Sequence, residues 1–349
     1  MTGQGRKVAV AMSGGVDSSV TARLLLERGH AVEGFFMALG QRDLAAQISR
    51  VEGIAARLGI RLHVVDLTDD FRREVIGYFC RTYAAGRTPN PCVRCNPLIK
   101  FGRLLDEAER HGCAQLATGH YARLVSGDDG MIHLMKAGDR KKDQSYFLHQ
   151  LRQSQLRRLL LPLGDYRKSE IYDLARGFGL AGLHGSESQD VCFLHGGPVA
   201  DFLAEKMAEL PPPGRIVDLK GRLLGGHGGI HRYTVGQRRG LGIPDETPYY
   251  VVALDAGADA VVVGKEEDLY RTDLLVGGVN WISGYSPALP ASYRVRIRYR
   301  HREAVAEVGR GGADGSCRVR FREPQRAVAP GQFAVFYDND EVVGGGEIR

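Results

Sequence analysis

A short β-rich run, Val8-Ala9-Val10-Ala11-Met12, passes directly into Ser13-Gly14-Gly15-Val16-Asp17-Ser18-Ser19 and then into an amphipathic segment. In that segment Val20, Leu24 and Leu25 share a face, and Gly29 is placed to stop the helix they predict. Strand, glycine turn and helix in immediate succession open a βαβ unit. Paired glycines let backbone N–H groups curl around an anion, serine hydroxyls add donors, and the helix N-terminus contributes its positive end. The turn therefore reads as a phosphate cradle. It lacks the Gly-Lys-Ser/Thr ending of a Walker A loop.

The alternation continues through Ala31 to Met37, Leu62 to Val65 and Gln115 to Thr118, which predicts a parallel sheet in an α/β fold. Helices are expected near Leu98 to Arg110, Gln144 to Leu160 and Lys168 to Phe178. Pro211-Pro212-Pro213-Gly214 breaks any helix or central strand, and composition changes there. Closely spaced strand-like runs follow at Tyr249 to Leu254, Ala260 to Val263, Tyr293 to Arg300, Cys317 to Phe321 and Phe333 to Tyr337, predicting an all-β module, a small barrel.

With 43% hydrophobic residues in 349, and only short Gly clusters of low complexity, dominant disorder is excluded. No apolar run approaches the ~20 residues that cross a bilayer, so no membrane partner and a cytoplasmic location are expected. Six cysteines are too sparse for a disulfide scaffold and point to chemistry or metal binding.

Two cysteine contexts stand out. Gly86 to Pro97 (GRTPNPCVRCNP) reads as a rigid loop carrying Cys92 and Cys95, where Arg87, Arg94 and Lys100 should favour thiolate. Ser186 to Phe193 (SESQDVCF) carries Cys192. Cys80, Cys113 and Cys317 lack such surroundings and are expected to be inert and buried. A second Cys-x-x-Cys or paired His motif is missing, which disfavours structural zinc at Cys92 and Cys95.

SGGVDSS resembles the PP-loop of ATP pyrophosphatases, which cleave ATP between the α and β phosphates. TPNPCVRCN, ATGHYAR (Ala117 to Arg123), KDQSYFL (Lys142 to Leu148), SQDVCF, YTVGQRRGLGI (Tyr233 to Ile243) and PGQFAVFY (Pro330 to Tyr337) follow in order. With them the chain resembles the bacterial tRNA-specific 2-thiouridylases over nearly its whole length. The resemblance implies a PP-loop catalytic domain (1–199), a small central domain (200–271) and a C-terminal β-barrel that binds tRNA (272–349). It implies that ATP adenylates C2 of the wobble uridine, that Cys192 carries a persulfide from a sulfur donor, a cysteine desulfurase or a relay protein, and that Cys95 is the nucleophile, through a transient disulfide. Ala11, Met12, Ser13, Gly14, Gly15, Val16, Asp17, Ser18, Met37 and Gly119 would line the ATP site, with Asp17 helping to hold Mg²⁺. Asn90, Pro91 and Cys92 would meet the target base, and His120, Lys142, Asp143, Gln144, Arg298, Tyr299 and Gln332 would contact tRNA. The segment after Met37 is shorter than in many relatives, and Cys92 stands where many have aspartate. Cys92, Cys95 and Cys192 together resemble the ligands of tRNA thiolases with an iron-sulfur cluster, which implies, as an alternative, a cluster-bearing variant of the same reaction.

Arginines recur at alternate positions from Arg294 to Arg302, and again at Arg318, Arg320 and Arg322, in a chain of net charge +6. On a strand they would share one face, opposite Val295, Ile297 and Tyr299, and grip RNA phosphates. Two other readings compete. A PP-loop enzyme adenylating a small carboxylate or nucleotide leaves the cysteines and basic module without a role. A non-catalytic RNA-binding protein with a metal-stabilised cysteine loop leaves the PP-loop without one.

Overall fold

The structure, a computed structural model, describes residues 7–180, 182, 191–194 and 196–349. In the first part of the chain come β1 (Lys7–Ala11), β2 (Ala31–Ala38), β3 (Arg61–Asp66), β4 (Gln115–Ala117), a hairpin of β5 (Ala122–Ser126) and β6 (Ile132–Lys136), and β7 (Leu159–Leu160). The sheet has the order β3-β2-β1-β4-β7, and its pairings are parallel. Both faces are covered, as a parallel sheet requires. Val8 and Val10 pack with Val20 and Leu25 of α1 (Val16–Glu27) and Ile54 of α2 (Leu44–Leu58), while Ala9 packs with Phe35, Ile99 and Leu116 on the other side.

Strand β1 has β2 on one side and β4 on the other. Connections therefore leave it in opposite directions, and the crevice at the carboxyl ends of β1 and β4 is the place where such sheets bind ligands. The glycine turn and the segment after Ala117 meet there.

Two sequence expectations are corrected. The rigid loop expected over Gly86 to Pro97 stops at Asn90, because Pro91–Cys95 is helical: the Asn90 side chain accepts from Val93 N, and Pro91 fills the first turn where no donor is needed. This turn runs on through π-helical Asn96–Arg103 into Leu104–Arg110. The long helix expected over Gln144 to Leu160 is instead a 3₁₀ turn (Ser145–Leu148), a short helix (Gln153–Leu156) and β7. The Asp143 carboxylate accepts from Ala137 N and Ser145 N, so a side chain competes with the helical ladder at its start.

The remainder is β-rich, as expected. β8 (Gly214–Asp218), β9 (Leu223–His227), β10 (Tyr250–Asp255) and β11 (Ala260–Gly264) form a sheet in the order β10-β11-β8-β9. β12 (Tyr270–Trp281), β13 (Ala291–Arg296), β14 (Ala304–Arg310), β15 (Cys317–Arg326), β16 (Phe333–Asp338) and β17 (Glu341–Ile348) close into a barrel through the β12–β17 pairing. Its interior holds Val276, Val295, Val308, Val319 and Phe336. Strand β17 was hidden in the sequence by Gly344-Gly345-Gly346. There a Cβ would come within 2.6 Å of the Asn280, Ala334 and Gly277 carbonyls respectively, so these glycines admit the close backbone approach that closes the barrel. The hairpin β5–β6 joins the barrel through β6 and β17, at Met135 and Glu341.

Candidate active site

The cradle closes on itself by local hydrogen bonds. Ser18 Oγ accepts from Ser13 N at 3.3 Å and donates to Gly15 O at 3.0 Å, and Ser19 Oγ donates to the same carbonyl at 2.9 Å. Gly14 has φ +78°, a left-handed conformation suited to glycine. Across the crevice Gly119 lies so close that an added Cβ would stand 2.8 Å from Asp17 Cβ and 3.0 Å from its carbonyl carbon. The expected nucleotide residues of the β1 turn and Gly119 thus meet. Met37 lies near the carboxyl end of β2, beside β1.

Asp17 is engaged by groups that sequence reasoning missed. Lys168 Nζ reaches its two oxygens at 2.8 and 2.7 Å, and Tyr121 Oη donates to Oδ1 at 2.8 Å. Lys168 is 7% exposed, at the first turn of the helix Lys168–Gly177. A cation at a helix N-terminus opposes the macrodipole, and that contradiction in the sequence was the available signal. Its carboxylate is tied to an ammonium and a phenol, so a Mg²⁺ ion held by Asp17 would share it with Lys168 and Tyr121.

The second half of the site gathers the thiols. All six cysteines are free, with Cys95 and the expected inert set of Cys80, Cys113 and Cys317 buried, Cys92 half-buried and Cys192 exposed. Ser186 to Asp190 lie outside the described residues, but Val191–Leu194 are described, and Phe193 anchors them. Its ring meets Phe71, Phe79 and Phe202 with centroids at 5.9, 5.1 and 4.9 Å. Cys192 is thereby brought within electrostatic reach of both Cys92 and Cys95. Burial pushes the Cys95 thiol up to about 12 and raises Cys92, while the Lys100 ammonium opposes the rise at each and at Cys192, whose thiol is also raised. Of the three cations expected to favour thiolate, Lys100 is the one that acts on them. Arg87 pairs with Glu347 at 2.9 Å, and Arg94 lies over the Tyr78 ring at 5.4 Å. Among the described residues no three His, Cys, Asp or Glu side chains are arranged to hold a metal ion.

His120 links the halves. It follows Gly119, its Nδ1 lies 2.7 Å from Thr118 Oγ1, and burial together with the Lys100 charge holds it well below its ordinary range, so it is neutral at pH 7.

The other expected tRNA contacts are largely occupied within the protein. Asp143, 2% exposed, accepts from Ala137 N, Ser145 N and Oγ and Arg296 Nη1. Gln144 Oε1 accepts from Tyr121 N at 2.9 Å, and Lys142 is half-buried. Arg298 donates to the carbonyls of Arg326 and Ala327, Tyr299 packs on Phe147 at 4.4 Å, and Gln332 donates to the carbonyls of Thr88 and Pro89. The strand meant to carry the arginine ladder ends at Arg296, whose guanidinium binds Asp143 and Glu303. Arg318, Arg320 and Arg322 do alternate outward, but Arg318 pairs with Asp273, and Arg320 stands opposite Asp273 and Glu307.

A parallel sheet with a glycine-serine cradle at its switch point, followed by two β-modules, defines a three-part nucleotide-site protein of the HUP class. Matching sequence models agree: a tRNA methyl transferase HUP domain over residues 6–196, a tRNA methyl transferase PRC-barrel domain over 200–265 and an aminomethyltransferase beta-barrel domain over 271–348. The chain is 48% identical to the tRNA-specific 2-thiouridylase MnmA of Syntrophotalea carbinolica over 100% of both chains. It is 48% identical to that of Pelobacter propionicus (98% of this chain, 97% of the relative) and 45% identical to that of Chloroflexus aurantiacus (98% of both). The chain belongs to the tRNA-specific 2-thiouridylase family.

Proposed function

We propose that this protein is an ATP-dependent tRNA uridine 2-sulfurtransferase. The single observation that carries the reading is the packing of Phe193, the neighbour of Cys192, against the core that holds Cys95, with the Lys100 charge acting on all three thiols and on His120 beside Gly119. The cradle binds ATP through backbone N–H groups and serine hydroxyls. The uridine O2 attacks the α-phosphate, diphosphate leaves, and the C2 oxygen becomes part of an adenylate that can depart as AMP. Cys192 holds a persulfide supplied by a sulfur donor protein. Its terminal sulfur bonds to C2 and AMP departs; Cys95 then attacks the Cys192 sulfur, releasing 2-thiouridine and leaving a Cys95–Cys192 disulfide that an external thiol reduces. Alternatively, Cys95 attacks first and frees hydrosulfide for the same displacement. Lys100 lowers the cost of each thiolate. Magnesium would accompany the nucleotide on its phosphates.

The domain models carry methyltransferase names, whereas the full-length relatives are named for thiolation. The test is thiolation of tRNA with ATP, Mg²⁺ and a persulfide donor. Wild type should release diphosphate only with tRNA present and form 2-thiouridine. Cys95→Ser and Cys192→Ser should each lose roughly 100-fold or more in thiolation while retaining diphosphate release. Full thiolation by either variant would refute the sulfur path.

A further inference from the structure

The loop from Gly86 to Asn90, which leads into the helical turn of Cys92 and Cys95, is gripped from two sides. Gly86, with φ +68°, sits against the central sheet: an added Cβ would lie 3.2 Å from Leu254 Cβ and 3.3 Å from Ile230 Cδ1. Two residues on, the C-terminal barrel takes hold. Thr88 N donates to Pro330 O at 2.8 Å, and Gln332 Nε2 donates to Thr88 O at 3.1 Å and Pro89 O at 3.2 Å. Gly331, with φ +90°, lies so near that a Cβ would stand 2.9 Å from both Thr88 N and Thr88 O. The gripping loop is itself pinned, since Gly331 N donates to Ile348 O and Ile348 N to Gln332 O, while Arg87 reaches Ile348 O and Glu347.

We infer that Gly331 and Gln332 of the barrel are positioning residues for the thiol chemistry, holding the 86–90 loop so that Cys92 and Cys95 face Cys192. The inference deepens the proposed sulfur transfer and rests on it. Asn90, which caps the cysteine helix, follows Pro89 directly, so the Gln332 amide fixes the residue on which the cap depends. An amide with two N–H groups satisfies both carbonyls; a side chain of equal length without donors leaves them unpaired and frees the loop. The barrel thereby contributes to turnover through geometry and separately from RNA affinity, since small misplacements of reacting groups cost large factors in rate.

The experiment compares Gln332→Met and Gly331→Ala with wild type in four readouts. These are tRNA affinity, thiolation kcat, tRNA-dependent diphosphate release, and iodoacetamide labelling of each cysteine in the full chain. Gln332→Met removes the donors, whereas Gly331→Ala pushes on Thr88, and both should give the same pattern. Expected are tRNA affinity within about 2-fold of wild type, kcat lower by about 10-fold or more, and faster labelling of Cys92 and Cys95 with Cys317 still protected. Weakened tRNA affinity with kcat and labelling unchanged would make Gln332 an RNA contact and overturn the inference. Release of Cys317, which lies in the barrel core, would show general unfolding and overturn it equally. Should wild type fail to thiolate tRNA, the proposed activity falls, while the labelling comparison still decides whether the barrel holds the loop.

Discussion

Cys95 illustrates how a residue legible in sequence takes its character from its surroundings. Its spacing from Cys92 marked it, but neighbouring arginines promised a thiolate, and the fold delivers the opposite: burial to 8% exposure and a thiol pushed up to about 12. At pH 7 it is therefore protonated, and its alkylation by iodoacetamide should rise about tenfold per pH unit through the neutral range. Lys100→Met removes the positive charge that restrains this rise, so labelling of Cys92, Cys95 and Cys192 should slow at every pH, with Lys100→Arg close to wild type. Unchanged labelling in Lys100→Met would show that the charge does not reach the thiols. The pairing of Lys168 and Tyr121 with Asp17 was not legible, because Asp17 is 151 and 104 residues away and such pairings appear only when the chain folds. Removing the ammonium in Lys168→Met leaves the Asp17 carboxylate, 28% exposed, without its ion pair beside incoming phosphates. ATP affinity should fall by roughly 10-fold or more, measured by nucleotide titration, with unchanged affinity as the contrary result.

At the level of elements, composition and local pattern revealed the strands and helices whose reason lies in their own residues and missed those whose reason lies in a neighbour. β1, β2, β3, α1 and β15 follow their patterns. β17 does not, since its three glycines look like a turn until the carbonyls of flanking strands are in place. Gly119 is a similar case: it ends the β4 segment where α1 begins, and the space for a side chain is taken by Asp17. Gly119→Ala should force the cradle apart, since part of the obstacle is backbone that cannot rotate away. Its ATP KM should rise about 10-fold or more while circular dichroism and thermal midpoint stay near wild type, because the change acts on a turn at the crevice and not on a core. An unaltered KM would show that the two loops separate freely.

Across the whole molecule, the basic surface is less uniform than the arginine spacing suggested. Arg296 is internal, and the outward Arg318 and Arg320 are matched by Asp273 and Glu307 from adjacent strands, which a one-dimensional reading of charge cannot see. Exposed Arg300 and Arg302, in the turn after β13, are better placed to meet phosphate. Replacing both by Ser should weaken tRNA binding and flatten its salt dependence by about 0.7–0.9 per lost contact, whereas Arg318→Ser with Arg320→Ser should change the slope little. The reverse ranking would return the RNA to the β15 face. The hairpin that joins the barrel adds a different constraint. Lys136 of β6, 5% exposed, binds Glu303 and the carbonyl of Asn339, and Arg296 ties that same glutamate to Asp143. Separating the partners would strand charges in an apolar interior at a cost of several kcal/mol, about 3–5 for each broken pair. Recombination that exchanges the barrel without its matching hairpin breaks these pairs, so such chimeras should be less soluble than the intact chain.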